Sequence, residues 1–245
     1  MPRFATHLVR GLCAAVLLAG VAGAAVPDEF TNLKVLPAET GKQELLDIMK
    51  KFTADLGMRC SDCHVQKVPG DFDSFDWASD ELRNKEKARG MMRMVGRLNG
   101  ELLPEAAGGH ADGITCYTCH RGLHEPRTME QEMLRTAHKS GIEAAEARYR
   151  ELREQYYGSG SYDFGSNPLF AVANTMAESD DLDGARAMAK LNIEMNPDDT
   201  KAHLQLAQIE LAAGNREEAG RVVREVLAKD PENRHAKRMQ MELAK

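Results

Sequence analysis

The chain has 245 residues, with 32 Lys and Arg against 38 Asp and Glu, 5% aromatic residues and five cysteines. The acidic balance excludes nucleic acid as a partner, because phosphate backbones are bound by clustered Lys and Arg. The negative charge is spread along the chain, which suits an exported soluble protein and a partner with a basic docking face.

Residues 1–24 read as a secretory signal, with Arg3 and Arg10 as the positive region, Leu12 to Val21 as the apolar run and Ala22-Gly23-Ala24 as the cleavage site. Export to the periplasm is the implied location. Cys13 lies inside the apolar run and is expected to leave with it. No second long apolar run follows, so the mature chain is expected to have no transmembrane segment.

The stretch from Thr40 to His64, TGKQELLDIMKKFTADLGMRCSDCH, combines a helix pattern with a C-x-x-C-H motif. Thr40 and Gln43 have the spacing of a capping box, and Leu45, Met49, Phe52 and Leu56 fall on one apolar stripe. Gly57 is placed to end that helix in a left-handed conformation. Cys60, Cys63 and His64 then have the spacing of covalent haem attachment, in which two thiols form thioethers and the adjacent His takes one axial face of the iron. Met49 is a candidate for the opposite face, or a core-filling side chain on the same stripe.

The pattern recurs. Ser79 stands as a helix cap, Asp80 and Glu81 suit a first turn, and Met91, Met94, Val95 and Leu98 form a second apolar stripe with Asn99-Gly100 as the stop. A glycine-containing loop leads to Cys116-Tyr117-Thr118-Cys119-His120. Met94 is the sixth-ligand candidate here, with Met91, Met92, His110 and His124 as alternatives. Phe72, Phe75 and Trp77 are expected to pack on a haem edge or in the core.

With the signal removed, four cysteines remain and all belong to the two motifs. An exported chain could instead use them as two disulfides, and a cytoplasmic one as a zinc site, although zinc-ribbon pairs lie closer together in sequence than Cys63 and Cys116. A His directly after each pair decides for two covalently attached haem c groups.

The segments from Asn32-Leu33-Lys34-Val35-Leu36-Pro37 through LLDIMKKFTADLGMRCSDCH, and on through MMRMVGRLNG to TCYTCHRG, resemble the haem-binding half of photosynthetic reaction centre cytochrome c subunits. In that family each haem is carried by a helix, a turn and the C-x-x-C-H segment, with a Met on the preceding helix as the usual sixth ligand. The resemblance therefore implies Met49 and Met94 as iron ligands beside His64 and His120. Family members typically carry four haems in two such halves, whereas this chain has two motifs and no lipid-anchor Cys. The resemblance implies a dihaem electron-transfer module.

From Met129 to Tyr157 the chain is rich in Glu, Arg and Ala, and reads as a solvent-facing helical connector closed by the turn-rich YYGSGSYDFGSN. Beyond it a repeat begins: Pro197 and Pro231, Ala185 and Ala219, and Asp181 and Asn215 are each 34 residues apart. That period and the small Ala at a helix crossing resemble tetratricopeptide repeats, with Arg234 to Lys245 as a capping helix.

The expected fold is all-α: a signal at 1–24, a dihaem c-type cytochrome domain at 25–125, a connector at 126–165 and a tetratricopeptide-like repeat domain at 166–245. A haem domain that small has a limited core, so folding and haem attachment should be coupled. The pattern fits an electron carrier better than a catalyst, since two six-coordinate irons pass electrons and bind little else. Its partners would be redox proteins and a protein docked by the repeats. The alternatives are a peroxidase-like dihaem enzyme, which needs one open iron and acid-base groups, and a repeat-based assembly scaffold.

Overall fold

The structure, a computed structural model, describes residues 26–244. The expected signal segment lies outside the described residues, apart from which the chain is all-α as expected. Among the described residues the one sheet is a two-residue antiparallel pairing of β1 (Val65–Gln66) with β2 (Phe75–Asp76). The chain divides into two compact units, one holding residues 26–47 and 59–94 and the other 48–58 and 95–244.

Helix α1 (Lys42–Leu56) ends as its sequence predicts. Gly57 adopts a φ of 59°, and the Met58 N–H reaches back to the Thr53 carbonyl at 3.2 Å, the six-to-one bond of a Schellman cap. Its start differs from expectation. The Thr40 hydroxyl donates to the Pro37 carbonyl at 2.7 Å, and the Gln43 amide donates to Asp47 at 3.0 Å, so the capping box is not made.

Helix α2 (Arg83–Arg97) begins later than Ser79 predicts. Ser79 Oγ accepts only the nearby Glu81 N–H, at 3.2 Å, in a turn before the helix. Nor does Asn99-Gly100 stop it: the chain continues through a wide π turn (Leu98–Leu102) into α3 (Leu103–Ala106). The Asn99 side chain explains this, because it both donates to the Ile114 carbonyl, at 2.9 Å, and accepts the Ile114 N–H, at 2.8 Å. A side chain committed to a distant strand-like segment cannot terminate its own helix.

After α4 (Cys116–His120) come α5 (Met129–Ser140) and α6 (Ile142–Tyr156), joined through Gly141 at a φ of 91°. The solvent-facing reading of this stretch is corrected. Met129, Met133, Ala145, Tyr149 and Leu152 are buried in one cluster with the repeat helices. The polar composition misleads because Glu132 is itself buried, held by Arg135 at 2.8 Å and Arg148 at 3.4 Å. The turn-rich segment is likewise anchored, with Ser161 buried and Phe164 in the same core.

The repeat helices are α7 (Ser166–Glu178), α8 (Leu182–Met195), α9 (Thr200–Ala212), α10 (Arg216–Lys229) and α11 (Arg234–Leu243). Starts at 166, 200 and 234, and at 182 and 216, keep the 34-residue period. Asp199 and Asn233, one period apart, cap α9 and α11 by accepting backbone N–H groups. Ala185 and Ala219 are fully buried, where a small side chain lets neighbouring helices approach. Glu210 occupies the position Met176 holds one repeat earlier, and is buried against Arg186 at 2.8 Å.

Candidate functional site

Both C-x-x-C-H segments fold as short helical turns, and the same local device closes each. The residue before the second Cys accepts the backbone N–H of the residue before the first: Asp62 from Arg59 at 2.7 Å, and Thr118 from Thr115 at 2.9 Å. A short polar side chain at that position satisfies an N–H that the turn would otherwise leave free. All four thiols are free, Cys60 and Cys119 exposed and Cys63 and Cys116 half-buried.

The two histidines are oriented alike by different carbonyls. His64 Nδ1 lies 3.2 Å from the Trp77 carbonyl, and His120 Nδ1 lies 2.9 Å from the Leu123 carbonyl. A carbonyl accepts only, so each ring carries its proton on Nδ1 and presents Nε2 as a lone-pair ligand. Burial, and then the positive charge of Lys85, push His64 down from its ordinary value, which keeps the imidazole neutral at pH 7.

Around His64 the first unit forms an aromatic wall. Phe75 stacks on Trp77 at 4.4 Å between ring centroids, and Trp77 meets the His64 ring at 5.2 Å. Phe75 is buried as expected of a core aromatic, whereas Phe72 stands exposed. Lys85, from the first turn of α2, donates to the same Trp77 carbonyl at 2.8 Å and to the Ser79 carbonyl at 2.8 Å. Asn84 donates to the Asp62 carbonyl at 3.0 Å, tying α2 to the first motif.

The second motif is held by close backbone approach. The Gly122 N–H donates to the Asp55 carbonyl at 2.9 Å, and a Cβ on Gly57 would overlap the Gly122 carbonyl. Gly57 thus meets two demands at once, a left-handed turn and a backbone contact. Arg121, at a φ of 50°, and Gly122, at 80°, turn the chain back, and the Ser161 hydroxyl donates to the Arg121 carbonyl at 2.7 Å.

Met49 lies half-buried on the part of α1 that belongs to the second unit, and Met94 lies exposed on α2 at the end of the first. Of the alternative ligands, Met91, His110 and His124 are exposed and Met92 is half-buried. Lys85, Asp55 and the clamp of Asn99 are site features that sequence reading missed. Their partners are backbone groups or distant residues, which leave no spacing signal.

Two of the thiols, Cys63 and Cys116, are held away from the thiolate form. Burial first, and then Asp62, push Cys63 up, while burial and then Asp55 push Cys116 up. Protonated thiols at neutral pH are poor nucleophiles. Among the described residues no group of three or more His, Cys, Asp or Glu converges to hold a metal ion.

Residues 13–208, most of the chain, match the family described as photosynthetic reaction centre cytochrome C subunit. The chain belongs to that family. Within it, the photosynthetic reaction center cytochrome c subunit of Thermochromatium tepidum is 38% identical over 68 residues, a stretch that is 28% of this chain and 14% of that relative. Residues 176–243 match a tetratricopeptide repeat, in agreement with the 34-residue helical period.

Membership of the reaction centre cytochrome family implies covalently bound haem c, and the residues present fit it. Each motif offers two free thiols and a His with Nε2 available. Beside the motifs, Trp77 Nε1 and Arg121 Nε are buried donors without an acceptor among the described protein atoms. A haem propionate supplies such an acceptor. Phe72, Met91, Met94, Leu102 and Tyr117 are exposed large apolar side chains from this same half of the chain, suited to lie against a macrocycle. Among the described residues no helix is long and apolar enough to cross a membrane.

Proposed function

We propose that this cytochrome is an exported dihaem electron carrier whose helical repeats dock a protein partner. The observation that carries the reading is the repeated turn: free thiols, a stapled C-x-x-C segment and a His fixed through Nδ1, twice in one chain. Haem c supplies reversible one-electron redox chemistry when bound. Cys60, Cys63, Cys116 and Cys119 would hold the two groups, His64 and His120 would each supply a nitrogen to iron, and Met49 and Met94 a sulfur each.

The residues serve this role by restraint rather than by chemistry. Imidazoles held through Nδ1 by backbone carbonyls, on short turns closed by their own side chains, would keep the ligand set unchanged between oxidation states, which keeps reorganisation small. Residues 1–24 would direct the chain to the periplasm, where thioether attachment of haem c takes place, and the repeats from 166 onward would bind a protein surface. Residues 25–125 would be the haem-binding portion, 126–165 the connector and the repeats at 166–245 the docking portion.

A redox titration of the purified holoprotein with optical spectra tests the reading. Two low-spin haems that do not bind carbon monoxide are expected, and Met94→Ala should open one iron to it. Ready binding of carbon monoxide by the wild-type protein would instead favour a dihaem enzyme.

A further inference from the structure

The two motifs share a backbone design but not an electrostatic one. Beside the first lies a shielded cation. Lys85 Nζ donates to the Trp77 carbonyl at 2.8 Å, the same oxygen that accepts from His64 Nδ1 at 3.2 Å. Its side chain is only 13% exposed, so water and salt screen it poorly. Asp80 is its nearest counter-charge, at 3.5 Å, but the same carboxylate also serves Lys34 at 2.6 Å and Arg89 at 2.8 Å. One carboxylate therefore faces three cations. Glu86 is engaged by Arg89 and Arg93, and Asp62 is exposed.

Beside the second motif lies a shielded anion. The Asp55 side chain is 6% exposed and pairs at 3.0 Å with Lys51, whose side chain is 58% exposed. Asp55 sits on the last turn of α1, and its backbone carbonyl accepts the Gly122 N–H at 2.9 Å, which places the residue beside the second motif. His120 also keeps the tighter bond to its carbonyl, 2.9 Å against 3.2 Å for His64.

Both differences act in the same direction on iron. Ferric haem carries one more positive charge than ferrous, so a fixed cation disfavours oxidation and a fixed anion favours it. A carbonyl shared with Lys85 polarises the His64 ring less, which makes it a weaker donor to ferric iron, whereas the tighter bond of His120 makes a stronger one. Resting on the reading that each motif carries a haem, we propose that Lys85 and Asp55 split the two potentials, so that the haem on Cys60 and Cys63 is reduced before the haem on Cys116 and Cys119. Lys85 and Asp55 are positioning residues that touch neither iron.

The test is potentiometric titration of holoprotein variants whose haem content has been confirmed by mass. Lys85→Gln should lower the higher midpoint and leave the lower one in place, while Lys85→Arg keeps it. Asp55→Asn should raise the lower midpoint alone, and the double variant should narrow the gap from both sides. Lys85→Met, which keeps the length of the stem, is measured beside Lys85→Gln so that loss of packing is separated from loss of charge. Unchanged midpoints, equal shifts of both, or a charge-preserving Lys85→Arg that behaves like Lys85→Gln would overturn the assignment. A wild-type mass showing fewer than two haems would instead overturn the dihaem reading on which it rests.

Discussion

From Met129 to Met239 the helices bury an unbroken set of apolar side chains, among them Met133, Tyr149, Leu169, Met188, Leu191 and Val222. Among the described residues from 26 to 125, only Leu45, Phe75 and Leu123 are buried apolar side chains, and Met91, Met94, Phe72 and Leu102 stand exposed. The first region is held instead by polar clamps: Asn99 on Ile114, Gly122 on Asp55, and Arg89 between Asp80 and the Asn32 carbonyl. Net hydrogen bonds contribute about 0.5–1.5 kcal/mol each, against about 1.5–3 for a fully buried large aliphatic side chain. A hundred residues with so few buried apolar groups need another source of apolar contact, and the proposed covalent haems would supply it. The repeat region needs none.

The comparison can be broken by perturbing each region in its own currency. Leu169→Ala opens a cavity in the continuous core, and chemical denaturation should show a loss of about 2–5 kcal/mol in the repeat helices. The haem bands should not move at the same denaturant concentration. Gly57→Ala comes next: it places an L side chain in a left-handed conformation, costing about 1–2 kcal/mol, and meets the Gly122 carbonyl as well. Its damage should register in the spectrum of the second haem and leave the cooperative melting of the repeats intact. Asn99→Ala removes both bonds to Ile114, and losing two half-buried hydrogen bonds at about 0.5–1.5 kcal/mol each should loosen this segment. Protease nicking between α3 and Cys116 is the readout.

The mildest prediction concerns acid. Burial alone would raise the Glu132 carboxyl, but the hydrogen bonds of Arg135, then its charge and that of Arg148, hold it below the ordinary 4.5. A carboxyl lower in the folded than in the unfolded state stabilises the fold above 4.5, and that contribution is lost as the pH falls through the folded value. The melting temperature of the repeat region should therefore fall below pH 4.5, and Glu132→Gln should flatten that part of the profile.

How much of this was legible depended on how local each signal was. The C-x-x-C-H segments, the cap at Gly57 and the 34-residue period are written in contiguous or evenly spaced residues, and they were readable. Thr40 misled because its hydroxyl donates to the Pro37 carbonyl in the turn before the helix instead of accepting an N–H of the first helical turn. Asn99 misled because its partner is a backbone fifteen residues away. The α5 and α6 pair looked solvated because its apolar stripe is diluted by Arg and Glu, one of which is buried only by virtue of arginines that sequence spacing does not single out. Lys85 left no pattern, since what matters about it is the Trp77 carbonyl it meets, and the Lys51–Asp55 pair, four residues apart, reads as an ordinary surface pair because spacing does not show that Asp55 is buried.

Amide hydrogen exchange on the holoprotein and on the same chain produced without haem attachment tests the central claim most directly. Protection of α1 and α2 in the holoprotein alone, with α7 to α10 equally protected in both, is the expected result. Equal protection of α1 and α2 without haem would contradict it, and would mean that residues 26–125 hold themselves together without a cofactor at their centre.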